Sequence, residues 1–339
     1  MENVLTAALQ QAIFHIEETS QIASVRRAGM LLAQKLGFDE TAAGRVALVI
    51  TEAATNIVKH AVRGSILLRA VADQGCSGVE IVAIDCGPGM RNLAFNLQDG
   101  NSTTGSYGAG LGAMRRQSGE FDIYTVPDRG TALAAIVWSS PNIDHSKRRK
   151  VGVVCLPLAG EVACGDAWAV VESADCLSVL VADGLGHGPD AAQASRAAVL
   201  TVEQHRGAMP AELIHDIHNA LRTTRGAAIG LARLDFHTRQ LHFVGVGNIA
   251  AAVHEGETHR NLVSYNGIVG SNLQNSKVFT LPWTQGMLLI MHSDGIGTSW
   301  DLKHYPGLVA CHPSVIAAVI YRDFRRLQDD ATVLVVPER

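Results

Sequence analysis

A polar and basic interruption at residues 139–150 divides the chain into two parts with different sequence patterns. It begins with Ser-Ser-Pro-Asn, ends with Lys-Arg-Arg-Lys, and separates two strand-like segments, residues 131–138 and 151–158. A chain of 339 residues also exceeds what one hydrophobic core usually serves. The sequence therefore predicts two domains, residues 1–140 and 151–339, joined by a linker at 141–150.

The first part is predicted to be an α/β sandwich. Its strongest helical pattern covers residues 40–61, with Asp39 as the N-cap and apolar residues at i, i+3 and i+4 spacing. A short helix is predicted at 112–118. Strands are predicted at 65–71, 79–85, 121–126 and 131–138. This order favours a sheet with helices on one face.

Short strand patterns dominate the second part. They lie at 151–158, 168–172, 177–183, 227–235, 240–247, 250–254, 287–293 and 331–337. Helices are predicted at 189–205, 210–224 and 313–325. An excess of strands over helices predicts an α+β domain in which two antiparallel sheets pack together between helices.

Charge and hydrophobicity exclude two classes of partner. The formal net charge of −4 leaves no basic surface of the kind that binds nucleic acid or an anionic membrane. No apolar stretch is long enough to span a bilayer, and acidic Glu2 stands where a targeting segment would be basic. We expect a cytoplasmic protein that binds neither nucleic acid nor membrane.

The first part contains three pieces of a possible nucleotide site. Glu52 and Asn56 lie one helical turn apart and can point into one cleft, where the asparagine oxygen suits magnesium and the carboxylate can act on a hydroxyl. Asp85 ends a strand and is followed by Gly87 and Gly89, which allow the backbone to approach a planar ligand. A glycine-rich segment at 105–112 precedes a helix, whose free N–H groups can bind phosphates.

Each piece also has a simpler explanation. Glu52 and Asn56 could both face water, D-x-G-x-G is a common turn, and a glycine-rich loop alone is weak evidence. Their order along the chain is more specific than any single piece.

Four acidic positions at strand ends characterise the second part. They occur in Gly165-Asp166, Asp183-Gly184, Asp294-Gly295 and Asp329-Asp330. For any one of them a turn is the simpler explanation, but four together favour a site for two hard cations that activate a hydroxide for attack on a phosphate ester.

Residues up to about 138 resemble the GHKL (Bergerat-fold) ATPases, specifically the RsbT-like serine kinases that act as anti-sigma factors or stressosome switch kinases. The resemblance implies a domain that binds ATP with Mg²⁺, with Glu52 as catalytic base and Asn56 as magnesium ligand. It also implies Asp85 as the adenine contact. Further nucleotide-binding positions would be Gly87, Gly89, Thr131 and the lid glycines Gly108, Gly110 and Gly112.

Residues from about 151 resemble the PPM-type metal-dependent Ser/Thr phosphatases of the SpoIIE group, most closely the RsbX-like members. The resemblance implies two Mn²⁺ or Mg²⁺ ions held by Asp166, Asp183, Asp294, Asp329 and the Gly184 carbonyl. Asp329 is preferred over Asp330. Leu185 stands where larger eukaryotic members have a histidine, with His187 two residues later, so the group that protonates the leaving oxygen stays open.

Together the two resemblances imply a bifunctional regulator in a bacterial partner-switching pathway. It would phosphorylate a STAS-domain antagonist or stressosome protein and would also remove phosphate, with a sigma-factor pathway protein as a further partner. One alternative makes the first domain a nucleotide-gated binding module without kinase activity, against which Glu52 argues. Another is an ATP-driven dimeric machine, against which the lack of a long transducer segment argues.

Overall fold

The computed structural model describes residues 11–73, 75–93, 110–140, 145, 148–256, 258–273 and 276–338. The chain forms two compact units. The first contains Met1–Arg149 together with Ala310–Arg322, and the second contains Lys150–Val309 and Asp323–Arg339. The segment Ala310–Arg322 thus differs from the predicted division, in which it belongs to the second domain.

A five-stranded antiparallel sheet forms the centre of the first unit. Its strands are β1 (Ala12–Ile16), β2 (Gly64–Asp73), β3 (Cys76–Asp85), β4 (Glu120–Thr125) and β5 (Thr131–Trp138), in the order β1-β2-β3-β5-β4. Alternate residues of β2 and β3, such as Ile66, Leu68 and Ile81, point into one core with the helices.

Three helices pack into this core. They are α1 (Thr19–Lys35), α2 (Glu40–Asn56) and α3 (Gly110–Gln117). The predicted N-cap of α2 is present, since Asp39 Oδ1 accepts a hydrogen bond from the Ala42 amide at 2.7 Å. The predicted helix at 40–61 is α-helical only to Asn56, and Ile57–Ala61 is a π-helical turn that ends before Val62 at φ 67°.

The sequence pattern did not predict β1 or α1. The buried stripe of α1 consists of the small residues Val25, Gly29 and Ala33, which give a weak apolar signal. Gly29 is needed where α1 meets α2, because a Cβ at this position would overlap the buried side chain of Ile50.

The second face of this sheet is buried as well. Its side chains alternate with those of the helix-covered core and include Leu67, Val82, Ala134 and Ile136. The segment Ala310–Arg322 of the same unit reaches this face, where Ser314 Oγ donates a hydrogen bond to Glu80 on β3.

Two sheets form the second unit. One contains β7 (Asp166–Glu172), β8 (Cys176–Gly184), β9 (Ala227–Asp235), β10 (Gln240–Val246), β13 (Ser264–Tyr265) and β14 (Phe279–Pro282), in the order β13-β10-β9-β8-β7 with β14 paired to β10. The other contains β6 (Gly152–Leu156), β11 (Ala250–Glu255), β12 (Thr258–Leu262), β15 (Met287–His292) and β16 (Ala331–Pro337), in the order β12-β11-β15-β16-β6.

The two sheets pack face to face. Their shared core contains Val181, Ala232, Phe243, Met291 and Leu334, among others. The opposite face of the first of these sheets packs against α4 (Pro189–Gln204) and α5 (Pro210–Leu221). The predicted α+β fold, an α/β sandwich followed by a β-sandwich flanked by helices, is confirmed. The short strands β12, β13 and β14 were not predicted.

The last helix, α6 (Pro313–Phe324), follows two 3₁₀ turns, Leu302–His304 and Leu308–Ala310. Among the described residues, no helix combines the length and the apolar character that crossing a membrane requires.

Candidate active sites

The structure brings Glu52, Asn56 and Gly110 together. Glu52 and Asn56 are half-buried and lie one turn apart near the end of α2. The start of α3 faces them, because a Cβ on Gly110 would lie 2.9 Å from Glu52 Oε2 and 3.8 Å from Asn56 Oδ1. A glycine here lets the first turn of α3 lie close to the carboxylate, where a side chain would not fit. Gly112 is buried in the same turn, and Gly108 lies outside the described residues.

Asp85 is held at the end of β3 by two backbone amides. Its Oδ1 accepts hydrogen bonds from the Gly87 amide at 2.8 Å and the Thr131 amide at 3.2 Å. Burial raises the pKa of Asp85, and these two hydrogen bonds and the nearby charges of Arg322 and His60 oppose that rise. Asp85, Gly87 and Thr131 therefore form one group.

The two glycines after Asp85 lie close to other parts of the backbone. A Cβ on Gly87 would lie 2.7 Å from Ala61 Cα, and Gly89, at φ 64°, would bring a Cβ into the carbonyl oxygen of Val126. These contacts explain both glycines through local packing, and they hold the loop beside Asp85.

This donor set suits a magnesium nucleotide. Asn56 supplies a neutral oxygen, Glu52 a neighbouring carboxylate, and Asp85 an acceptor that can receive the amine of adenine. Gly110 lets the first turn of α3 lie close to Glu52 and Asn56, so the start of this helix borders the same donor set.

Asp166 and Asp183 face each other across two strands of the second unit. Asp166 begins β7, Asp183 is the penultimate residue of β8, and the two are register partners. Asp166 is buried, and its Oδ2 accepts a hydrogen bond from Ser293 Oγ at 2.6 Å. Burial raises the pKa of Asp166, and the negative charge of Asp183 raises it further.

Asp294 and Asp329 complete a group of four acids. The pKa of Asp183 is raised to about 7 by burial and then by the charges of Asp294 and Asp329. Burial also raises the pKa of Asp329, with a smaller contribution from Asp294. Gly184, the predicted carbonyl ligand, directly follows Asp183 and is buried. The strand ends thus bring the predicted acids close to one another.

Asp330 differs from Asp329 in its partners. The Asp330 side chain is 2% exposed, and its two oxygens accept hydrogen bonds from the amides of Leu158 at 2.8 Å and Gly165 at 2.9 Å. Asp329 is less buried, and its Oδ1 accepts from the Asp330 amide at 2.9 Å. Asp330 therefore anchors the backbone near Asp166, which leaves Asp329 as the better candidate ligand.

Two residues of this site were missed by the sequence prediction. Ser293 donates to Asp166, and its Oγ accepts from the Thr332 amide at 3.0 Å. Asn248 Nδ2 donates to Asp294 Oδ2 at 2.7 Å. The available signals were the position of Ser293 directly before Asp294-Gly295 and that of Asn248 after Gly247 in the turn between β10 and β11.

The chemistry of the acids fits hard divalent cations, since all side-chain donors are carboxylate oxygens. Within the described part of the chain, no group of three or more His, Cys, Asp or Glu side chains is arranged to hold a metal ion. The four carboxylates are neighbours that repel one another, and their assignment as ligands stays a prediction.

Comparisons with known proteins match two parts of the chain to two different families. Residues 17–137 match the Histidine kinase-like ATPase domain family, and residues 173–337 match the Stage II sporulation protein E (SpoIIE) family. The serine/threonine-protein kinase RsbT of Bacillus subtilis is 37% identical over 128 residues, which are 38% of this chain and 96% of that kinase.

The phosphoserine phosphatase RsbX of the same organism is 30% identical over 156 residues, 45% of this chain and 78% of that phosphatase. A solved structure described as "The bacterial stressosome: a modular system that has been adapted to control secondary messenger signaling" has a TM-score of 0.52 and 29% identity. The similarity covers 56% of this chain and 99% of the chain in that structure. The chain therefore belongs to the histidine kinase-like ATPases through an RsbT-like serine kinase domain and to the SpoIIE-type PPM Ser/Thr phosphatases through an RsbX-like domain.

Proposed function

We propose that this chain is a bifunctional regulator of a partner-switching pathway. It phosphorylates a serine or threonine of a STAS-domain antagonist with ATP, and it hydrolyses the phosphoester of the same or a paired protein. The observation that carries this proposal is that each unit has its own group of candidate site residues: Glu52, Asn56 and Gly110 in one, and the four strand-end aspartates in the other.

In the kinase half, Glu52 orients the attacking hydroxyl and accepts its proton. Asn56 would hold a magnesium ion, which supplies electrostatic stabilisation of the transferred phosphoryl group when it is bound. Asp85, fixed by the Gly87 and Thr131 amides, accepts a hydrogen bond from adenine. Gly108, Gly110 and Gly112 form the phosphate lid.

In the phosphatase half, Asp166, Asp183, Asp294, Asp329 and the Gly184 carbonyl would hold two Mg²⁺ or Mn²⁺ ions. These ions supply an acidified water and neutralise the charge of the phosphate when they are bound. Ser293 and Asn248 hold the carboxylates of Asp166 and Asp294 in fixed orientations.

The names of the two relatives support opposing activities in one chain. RsbT is a Ser/Thr kinase and RsbX is a phosphoserine phosphatase, whereas this chain contains a domain similar to each. Covalent linkage keeps both activities at equal dose and gives a bound target a high effective concentration at either domain.

The experiment uses the full chain with candidate STAS-domain proteins from the same genome. With ATP and Mg²⁺ we expect phosphoserine or phosphothreonine on the target by mass spectrometry, and its loss in Glu52→Ala. With Mn²⁺ and the phosphorylated target we expect release of phosphate, and its loss in Asp183→Asn. Each variant is the folding control for the other activity.

The outcomes separate this proposal from its alternative. If no candidate receives phosphate from the wild type and one of them is captured only when ATP is bound, the first domain is a nucleotide-gated binding module. If Glu52→Ala transfers phosphate as fast as the wild type, Glu52 is not the catalytic base.

A further inference from the structure

A segment near the C-terminus is built into the first unit. Ala310–Arg322 belongs to that unit although 160 residues of the second unit, Lys150–Val309, precede it in the chain. Most of this segment is the helix α6, and all nine residues from Pro313 to Tyr321 are buried.

Ser314 fixes this segment on the sheet of the first unit. Its side chain is fully buried, and Ser314 Oγ donates a hydrogen bond of 2.6 Å to Glu80 Oε1. Glu80 Oε2 accepts from Arg69 Nε at 2.8 Å and from Nη2 at 2.6 Å. Because Arg69 and Glu80 are 4% and 1% exposed, loss of any of these partners leaves a buried polar group unsatisfied.

His312 provides a second attachment. Its amide donates to Asp122 Oδ2, and its Nε2 lies 3.1 Å from Glu120 Oε2. Arg148 Nη2 lies 3.1 Å from the other oxygen of Glu120. Both acidic residues are on β4, so the start of the segment is held at one edge of the sheet.

Arg322, at the end of the segment, reaches the nucleotide site. Its Nη1 donates a hydrogen bond of 3.2 Å to the carbonyl oxygen of Asp85. Gly130, at φ 78°, lies against the same carbonyl so closely that a Cβ would overlap it. The backbone of Asp85 is therefore fixed by Arg322, while its carboxylate is fixed by the Gly87 and Thr131 amides.

The segment Ala310–Arg322 lies outside the residues that match the ATPase domain family. The 128 residues matched to RsbT account for 96% of that kinase, and the ATPase domain family model covers residues 17–137 of this chain. A residue 237 positions after Asp85 nevertheless contacts it.

We propose that Arg322 is a positioning residue of the nucleotide pocket, and that the segment Ala310–Arg322 serves to bring it to Asp85. This inference rests on the proposed role of Asp85 as the adenine contact. A charged donor on the Asp85 carbonyl holds the end of β3 in place, so that the carboxylate meets the adenine amine at the correct distance.

The test measures binding of ADP and GDP, each with Mg²⁺, to the full chain by titration calorimetry. In Arg322→Met we expect ADP to bind about tenfold more weakly, because the variant loses roughly one charged hydrogen bond. GDP is expected to bind weakly to the wild type, and its affinity should not change in the variant. Arg322→Lys keeps a charged donor and should recover part of the loss. Arg27→Met, on the exposed face of α1, makes the same change in charge and should bind ADP like the wild type.

Ser314→Ala tests separately whether the segment Ala310–Arg322 places Arg322 beside Asp85. We expect weaker ADP binding in the same direction, with a lower melting temperature because Glu80 loses a partner. If Arg322→Met bound ADP with the wild-type affinity and kept the wild-type preference for adenine, this inference would be wrong and the proposed nucleotide pocket would be unaffected. A wild type that binds neither nucleotide would overturn the nucleotide pocket itself, and the inference with it.

Discussion

At the scale of single residues, the candidate site of the second unit depends on side chains that hold other side chains. Ser293 is buried between Asp166 and the Thr332 amide, and Asn248 reaches Asp294. Such partners orient metal ligands and commonly influence activity as strongly as some ligands do. They supply the neutral donors that a group of mutually repelling carboxylates needs.

Ser293→Ala is expected to lower phosphatase activity by roughly 10–100-fold and to raise the Mn²⁺ concentration needed for half-maximal activity. The cause is the loss of the hydrogen bond that orients Asp166. Ser178→Ala is a matched control, because Ser178 is equally buried in the second unit and its hydroxyl has no hydrogen-bond partner among the described residues. Equal Mn²⁺ dependence in the two variants would contradict a role for Ser293 in the site.

The raised pKa of Asp183 predicts how stability depends on pH without metal. The folded protein keeps the Asp183 proton up to about pH 7, whereas the unfolded chain loses it near the ordinary aspartate pKa of 3.8. The folded state then binds more protons between these values, so its stability decreases as pH rises through this window, by at most about 1.4 kcal/mol per pH unit for one group.

In EDTA we therefore expect the melting temperature of the second unit to fall between pH 5 and pH 8. Asp183→Asn should reduce that fall, since a neutral side chain no longer repels Asp294 and Asp329. Asp175→Asn, at an exposed position, should leave it unchanged. Saturating Mn²⁺ should reverse the fall in the wild type, because the ions need deprotonated ligands. A melting temperature that rises with pH in EDTA would contradict this account.

At the scale of elements, close helix contact in the first unit depends on one glycine. Gly29 on α1 faces Ile50 and Val46 on α2, with no room for a side chain. Gly44 is on the same helix as those two residues, and no atom lies within 4 Å of the Cβ it would carry. These two glycines form a natural pair for comparison.

Gly29→Leu is expected to destabilise the first unit by about 1–3 kcal/mol, because the larger side chain must displace the buried Ile50. Gly44→Leu should be neutral or stabilising by up to about 1 kcal/mol, because leucine favours a helix over glycine. Thermal unfolding of the full chain, followed in the presence and absence of ADP, distinguishes the first unit from the second. Similar effects at both positions would show that the α1–α2 contact is not tight.

At the scale of the whole molecule, the two units carry separate groups of candidate site residues. No residue proposed for one reaction is proposed for the other. Glu52→Ala should therefore leave phosphatase activity intact, and Asp183→Asn should leave kinase activity intact.

With ATP, Mg²⁺ and a target present together, the wild type should hold the target at an intermediate level of phosphorylation. Asp183→Asn should drive it close to complete phosphorylation and Glu52→Ala close to none, as followed by intact-protein mass spectrometry over time. Addition of more enzyme should shorten the approach to the wild-type level without moving it. If one substitution abolished both activities, the units would not work independently.

The sequence by itself determined the two-domain α+β fold, both family resemblances and the local geometry of the candidate residues. Glu52 and Asn56 lie on one side of a helix because of its 3.6-residue period, and the Asp-Gly pairs lie at strand ends because an apolar run stops there. These are relations between residues close in sequence, where periodicity and turn chemistry are sufficient.

Only the tertiary structure decided which distant residues meet. Asp330 differs from Asp329 through the amides of Leu158 and Gly165, and Ser293 is joined to Asp166 across 127 positions. The segment Ala310–Arg322 belongs to the first unit, where Ser314 donates a hydrogen bond to the buried Glu80. An apolar helix carries no sequence signal for the sheet that it will cover, because the hydrophobic effect is non-directional. Its few buried polar groups add specificity, because each of them needs a hydrogen-bond partner.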